Sequence, residues 1–577
     1  MSKSKKQEQV WSSARSGLCS SLVGLLLLIS PGLAQPIFNP SSAMDAYQYV
    51  QTRRDEALKL FEKQPEKGLA IEMELLQFLS DPKIVTLGQG FPYLSWKKSD
   101  LYYDIALGYL ALDQKDKALA ALQRMHEELL LNSSSKLLLD NKDLENLQHE
   151  KSFKQFIQQI QNRENFWDGP ALKTPFKDNL SEDEKVAGLS KLWSEIKYNF
   201  VYFDQVPALD WDALYLSYLP KVRQTKNTIE YYRLLQHLVA QLHDGHTNVY
   251  PPEQLNDAFY ARPPIRTRLV AGKVLITQVW GDQTELRPGL EITGVDGLSV
   301  KQYASTYVAP YQSASTTQDL EVRTYDYLLL AGPLNFPVKL QLLDEAGKTF
   351  AVTVQRQKIK RPPQPALQFK KLANDVAYIA LNTFENKKVV EEFIATADQW
   401  RTARAIIFDL RENDGGDSAL GDAILSYLTD KPFTGLLSRT REYRPVERAQ
   451  GVVQHWFDQP DNPVEPQQKP YLGPVIVLVS ARTFSAGEDF VADFQAMHRG
   501  KIVGEPTGGS TGQPLIFSLP GGGRARVCTK REAFADGQTF VGAGIQPDIF
   551  VQPGVEDIRA NRDPVLQAAL EALQLQP

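Results

Sequence analysis

Two segments of the chain run apolar for about five residues, break into small and polar residues, and resume with apolar positions at helical spacing. Ala405-Ile-Ile-Phe-Asp409 reads as a buried strand; Leu410-Arg411-Glu412-Asn413-Asp414-Gly415-Gly416-Asp417 follows as a loop, and residues 419–428 as a helix. Pro474-Val-Ile-Val-Leu-Val479 is a second such strand, closed by Ser480-Ala-Arg-Thr-Phe-Ser485 and followed by a helical pattern over residues 488–497. This order puts Ser485 at or just before a helix N-terminus, where the amide of Ala486 would face negative charge developing on a substrate carbonyl. Serine is also a favoured N-cap, so capping stands beside nucleophilic attack as a reading of Ser485. The Gly415-Gly416 pair allows backbone to approach a ligand closely.

Elsewhere the pattern divides the chain. Residues 45–165 are helical, and Asp100 to Leu122 resembles one tetratricopeptide helix pair with small residues at Ala106, Gly108 and Ala118. A single repeat cannot bury its own face, so the neighbouring helices must complete the stack. The region reads either as a docking module for a protein partner or as an inert helical cap. Ser181-Glu-Asp-Glu184 opens a helical subdomain over 181–255. Short strands and turns over 262–358 resemble a PDZ-like domain, a kind of module that adds an extended peptide at its edge. Strand and helix alternate over 366–553, and a C-terminal helix is expected within 554–577. The fold class is therefore multidomain α+β. It comprises an N-terminal helical repeat-like region, a helical subdomain, a PDZ-like β domain and an α/β core.

Composition narrows the setting. Lys3, Lys5, Lys6 and Arg15 precede an apolar run from Leu18 to Ile29, with Pro31-Gly-Leu-Ala34 after it. That is the layout of a signal peptide over 1–34, too short in its apolar part to span a bilayer. An exported protein, periplasmic or extracellular, follows, with no transmembrane segment in the mature chain. Removing the signal takes Cys19 with it and leaves Cys528 alone, so no internal disulfide is expected. A net charge of −5 with dispersed lysines and arginines gives no footprint for nucleic acid. The zinc, dinucleotide and P-loop patterns are missing, and no cofactor and no metal are expected.

Four motifs in one order, Asp409-Leu-Arg411-x-Asn413-x-Gly415-Gly416, Thr483-Phe-Ser485-Ala-Gly-Glu488, Gly504-Glu505-Pro506-Thr507-Gly508-Gly509 and Gly544-Ile545-Gln546-Pro547-Asp548, carry a resemblance. They resemble the C-terminal processing (tail-specific) serine peptidases and their tricorn-core relatives. The likeness covers roughly two-thirds of the chain and implies an α/β, ββα-superhelix-type serine peptidase core. It implies Ser485 as nucleophile and an oxyanion hole from the amides of Ala486 and of Gly415 or Gly416. The implied substrate is an extended or unfolded polypeptide.

A serine needs a base to take its proton. The tail-specific branch places a lysine in the glycine-rich segment after the nucleophile, where this chain has Ser510. The tricorn-like branch takes a histidine from far upstream, and Asp244-Gly245-His246-Thr247 matches its signature. Of the seven histidines, His126, His149 and His237 lie in helical patterns, His455 in a polar stretch, and His498 at a helix end. His243 and His246 share a loop; His246 is the expected base, His243 an orienting or capping alternative. The carboxylate that the tricorn-like pattern puts before Gly-x-x-Pro-Asp is replaced by Val541. Asp244, Glu488 and Glu505 stand as substitutes, and Ser510 as a group that polarises His246 or contacts substrate.

Gly508-Gly509-Ser510-Thr511-Gly512 also matches Gly-x-Ser-x-Gly, yet neither a helix nor a later histidine follows it. The leading expectation is an exported Ser/His endopeptidase. The rival is a catalytically inactive peptidase-fold scaffold, favoured by the missing lysine and by Val541.

Overall fold

The computed structural model describes residues 38–574 apart from 41, 62, 89–91, 129–133, 282–284, 359–363, 454 and 460–462. The expected signal peptide lies outside the described residues. Residues Ser42–Pro577 form one compact unit.

The centre of that unit is a six-stranded sheet. Its order is Ile549–Phe550, Lys501–Gly504, Val475–Val479, Ala405–Asp409, Val376–Leu381, Leu367–Leu372, all parallel except the last. Side chains alternate faces along each strand. Ile406, Phe408, Val475, Val477 and Val479 enter the main core, whereas Ala405, Ile407, Ile476 and Leu478 pack on the C-terminal helix Pro564–Gln574 through Val565, Ala569 and Leu573. Both faces are covered, which explains the nearly unbroken apolar runs in these strands.

The helices Glu182–Asn199, Trp211–Gln224 and Thr228–Ala240 share that main core: Leu189, Leu192, Ile196, Tyr231, Tyr232 and Leu235 are fully buried against it. Ser181 opens the first of them with a reciprocal capping box to Glu184. The strand Asn248–Tyr250 leaves the third helix and pairs antiparallel with Gly523–Cys528, which in turn pairs with Pro514–Leu519. Sequence-distant helices are thereby stitched to the central sheet by hydrogen bonds as well as by apolar burial.

A second β unit has its own core. Ile265–Val270, Lys273–Val279, Glu291–Val295, Val338–Leu343 and Thr349–Val354 form an antiparallel sheet with Leu298–Ser299 beside it and the helix Val300–Tyr307 following. Ion pairs hold it to the sheet unit: Arg482 with Asp326, Arg266 with Glu412 at 2.8 Å, and Arg268 with Glu505; within the sheet unit Arg482 also pairs with Glu412 at 2.6 Å. The N-terminal helices build two further clusters. Gly108 lies against Leu69, where an added Cβ would come within 2.7 Å of its side chain, so the helices Pro92–Ala111 and Pro65–Phe78 approach closely.

Arg482 sits in the turn before Ser485 and is almost fully buried with Asp326. Removing one member of a buried pair strands the other's charge. Arg482→Met is expected to cost roughly 3–5 kcal/mol, read as a lower denaturant midpoint with an unchanged slope.

Candidate active site

Ser485 directly precedes the helix Ala486–Ala496. Its backbone has φ 56° and ψ −130°, a left-handed conformation that is costly for a residue with a Cβ. The surroundings over-determine it. Phe484 N donates to Asn413 O at 3.0 Å, Ser485 N to Ser510 O at 3.0 Å, and Gly508 N to Thr483 O at 3.0 Å. Ser480 and Thr483 hydroxyls donate to the carbonyls of Arg411 and Leu410. The side chain of Ser485 makes no capping bond to its helix. Its Oγ instead lies 2.9 Å from His246 Nε2, across 239 residues of sequence.

His246 occupies a buried loop between the helix Thr228–Ala240 and the strand Asn248–Tyr250. Thr247 fixes the loop from both sides: its hydroxyl donates to Asp244 Oδ2 at 2.5 Å and accepts from Cys528 N at 3.2 Å. The ring stacks on Phe484, centroids 4.9 Å apart and nearly parallel. Nδ1 lies 2.8 Å from Ser510 Oγ. Burial drives the imidazole well below its ordinary pKa, and the charges of Arg526, Arg323 and Lys530 add to the effect. A neutral ring is thus held between two serine hydroxyls.

The expected substitutes for the missing carboxylate sit elsewhere. Asp244 faces Thr247 within its own loop, and Glu505 pairs with Arg268. Glu488 accepts from Gly509 N at 2.7 Å, from Ser510 N at 2.9 Å and from Thr507 Oγ1. It therefore fixes the loop that presents Ser510 and makes no contact with the ring. Burial raises its pKa to about 8. His243 is exposed at φ 48°. His237 bonds Tyr218, and Val541 is buried in the core.

Gly415 and Gly416 are not equivalent. Gly415 N donates to Asn413 Oδ1 at 2.9 Å, which engages that amide. Gly416 has φ 135°, and a Cβ there would meet the backbone of Phe384 at 2.0 Å, so only glycine fits. The amides of Gly416 and Ala486 have no acceptor among the described residues. Both residues line a cleft of about 760 Å³ with Ser485 and His246. Trp96 from the N-terminal helices also lines it, a contribution no local motif announced. Lys530, the lysine of this cleft, is pulled down by burial, but Glu532 at 2.7 Å outweighs this and holds its ammonium above the ordinary value.

These features define an α/β core in which a serine at a strained strand-to-helix turn meets a histidine from a separate helical segment. Residues 375–551 match the model of peptidase family S41 and residues 183–240 that of the tricorn protease C1 domain. The chain therefore carries an S41 peptidase domain and a tricorn C1 domain. It is 24% identical over 283 residues to carboxyl-terminal-processing peptidase 2, chloroplastic, of Arabidopsis thaliana, covering 48% of this chain and 49% of that one. It is 25% identical over 419 residues to the carboxyl-terminal-processing protease of a Synechocystis species, covering 69% and 89%. The match thus spans about half the length of the Arabidopsis relative. The solved structure of mature CPAF complexed with lactacystin aligns with TM-score 0.54 at 15% identity, over 68% of this chain and 98% of that one, a likeness of fold.

Two outcomes follow for enzymatic assays. With a His246 pKa lowered by burial, kcat/KM should keep its plateau below the ordinary imidazole value of ~6.5 and fall only in more acid solution. An inflection at or above that value would contradict the site. His246 also binds fewer protons in the folded than in the unfolded chain, so its own contribution to stability, read as wild type minus His246→Gln, should fall as pH drops through ~6.5. Ser510→Ala is expected to lower kcat by roughly 10- to 100-fold with little change in KM, a smaller loss than that from a triad aspartate.

Proposed function

We propose that this chain is an exported serine endopeptidase that hydrolyses peptide bonds of extended or unfolded polypeptides. The observation that carries the reading is the 2.9 Å contact between His246 Nε2 and Ser485 Oγ, made between two segments 239 residues apart in sequence.

In the tautomer a base requires, His246 Nδ1–H donates to Ser510 Oγ and Nε2 accepts from the Ser485 hydroxyl. Ser485 Oγ attacks the scissile carbonyl carbon while Nε2 takes its proton. The carbonyl oxygen becomes an oxyanion between the amides of Ala486 and Gly416, which the helix N-terminus reinforces. Nε2 then returns the proton to the leaving amine, the C–N bond breaks, and an acyl-enzyme remains. Water, deprotonated by the same nitrogen, releases the acid and restores Ser485.

The edge strand Pro514–Leu519 begins in the cleft, at Gln513 and Pro514. An extended substrate adding to that edge would be held by its main chain, which supports the extended-polypeptide reading. Selection of a chain's C-terminal tail, as the names of the relatives suggest, belongs to the same proposal. Export rests on the 1–34 pattern; among the described residues no helix is long and apolar enough to cross a membrane. A second reading, an inactive scaffold, is favoured by one observation: Nδ1 meets a hydroxyl where a carboxylate would stabilise the imidazolium.

Cleavage of an unfolded protein should fall by about 10⁴- to 10⁶-fold in Ser485→Ala and His246→Ala, with Lys501→Ala unchanged. A fluorophosphonate should label the wild type and leave Ser485→Ala unlabelled. A wild type that neither cleaves nor labels would replace the peptidase with the scaffold.

A further inference from the structure

A second cavity, of about 180 Å³, lies where the helix Thr228–Ala240 meets the β unit's helix Val300–Tyr307. Arg233, Gln236, Tyr250, Tyr260, Tyr303 and Tyr311 line it. Its chemistry is unusual in one respect. The neighbouring arginines find oxygen acceptors: Arg323 has Asp319, Arg356 has the carbonyls of Leu330 and Phe336, and Arg526 has Asn248. Arg233 lies instead over ring faces, 4.5 Å from the Phe259 centroid and 5.3 Å from that of Tyr311. Among the described residues it makes no hydrogen bond or ion pair. Burial lowers its pKa, and the groups opposing that are the tyrosines 260, 311 and 303.

A guanidinium has five donors in a fork shaped for a carboxylate. Half-buried over aromatic rings, it has no anion beside it to offset the part of its hydration that it has lost. Gln236, one helical turn further on, donates from Nε2 to Val249 O at 3.2 Å, while its buried Oε1 has no hydrogen-bond partner. The cavity therefore offers a cation, an acceptor and tyrosine rings among other polar groups, in a volume suited to a single ring or aliphatic group. A dianion would need a second free cation; Arg323, which also lines the cavity, is taken by Asp319.

We propose that this cavity binds a small monocarboxylate with an apolar or aromatic body: carboxylate on Arg233, body among the tyrosine rings, and a ligand N–H on Gln236 Oε1. The same chemistry is supplied by a free N-acyl amino acid or by the last residue of a peptide. Ser485 and His246 line the cleft and not this cavity, so the site is distinct from the Ser485 centre, with Arg323 lining both.

Isothermal titration of the full chain with N-acetylphenylalanine, 3-phenylpropanoate and the uncharged amide of each tests the proposal. The acids should bind, with the amides at least tenfold weaker, and Arg233→Gln should lose acid binding while melting like wild type. Gln236→Glu supplies an internal carboxylate one turn from Arg233; it should raise the melting temperature and abolish acid binding, a result that does not depend on Arg233→Gln folding. Equal binding of acid and amide, or undiminished acid binding in Gln236→Glu or in a folded Arg233→Gln, would overturn it. A tripeptide ending in phenylalanine identifies the source: binding as tight as N-acetylphenylalanine assigns the site to a chain end, and markedly weaker binding to the free acid.

Discussion

A neutral imidazole kept between two hydroxyls at the wall of the cleft is the constraint around which the molecule is arranged. His246 reaches Ser485 only because the helices Glu182–Asn199 and Thr228–Ala240 bury their apolar faces in the same core as the central sheet. The pairing of Asn248–Tyr250 with Gly523–Cys528 then removes the freedom of the two residues after it. On the other side, the strained Ser485 backbone is locked by main-chain bonds that Phe484 N and Ser485 N donate to the carbonyls of Asn413 and Ser510. Each half of the pair is positioned by a different stretch of chain, so the contact reports on the whole tertiary arrangement.

The third position shows how local chemistry shifts when one group is missing. With valine at 541, the ring's far nitrogen meets Ser510, and the buried acid Glu488 acts one step removed by gripping the Ser510 and Gly509 amides. A hydroxyl selects the tautomer as a carboxylate does but adds no negative charge. Arg323 and Arg526 nearby also disfavour the imidazolium. The balance points to a base that remains available in mildly acid conditions at the expense of driving force at each proton transfer.

Much of this was legible in the chain. The apolar runs at 405–409 and 475–479 are short and uninterrupted because the sheet is covered on both faces, and the glycines at 415 and 416 announce a close backbone approach. Ser485 and His246 were singled out by motif and by elimination among seven histidines. The choice among Asp244, Glu488, Glu505 and Ser510 was not legible: three lie in loops and Glu488 in the first turn of a helix, and only tertiary geometry decides which faces Nδ1. Trp96 and Arg233 illustrate the same limit. Nothing in the spacing around either indicates a cleft or an unmatched charge, since both properties arise from elements far away in sequence.

The most direct measurement is a crystal structure of the chain after reaction with a peptidyl phosphonate. The account expects phosphorus on Ser485 Oγ, one phosphonyl oxygen about 2.7–3.1 Å from the amides of both Ala486 and Gly416, and His246 still between the adduct and Ser510. An adduct on another residue, or a phosphonyl oxygen turned to solvent away from both amides, would contradict it.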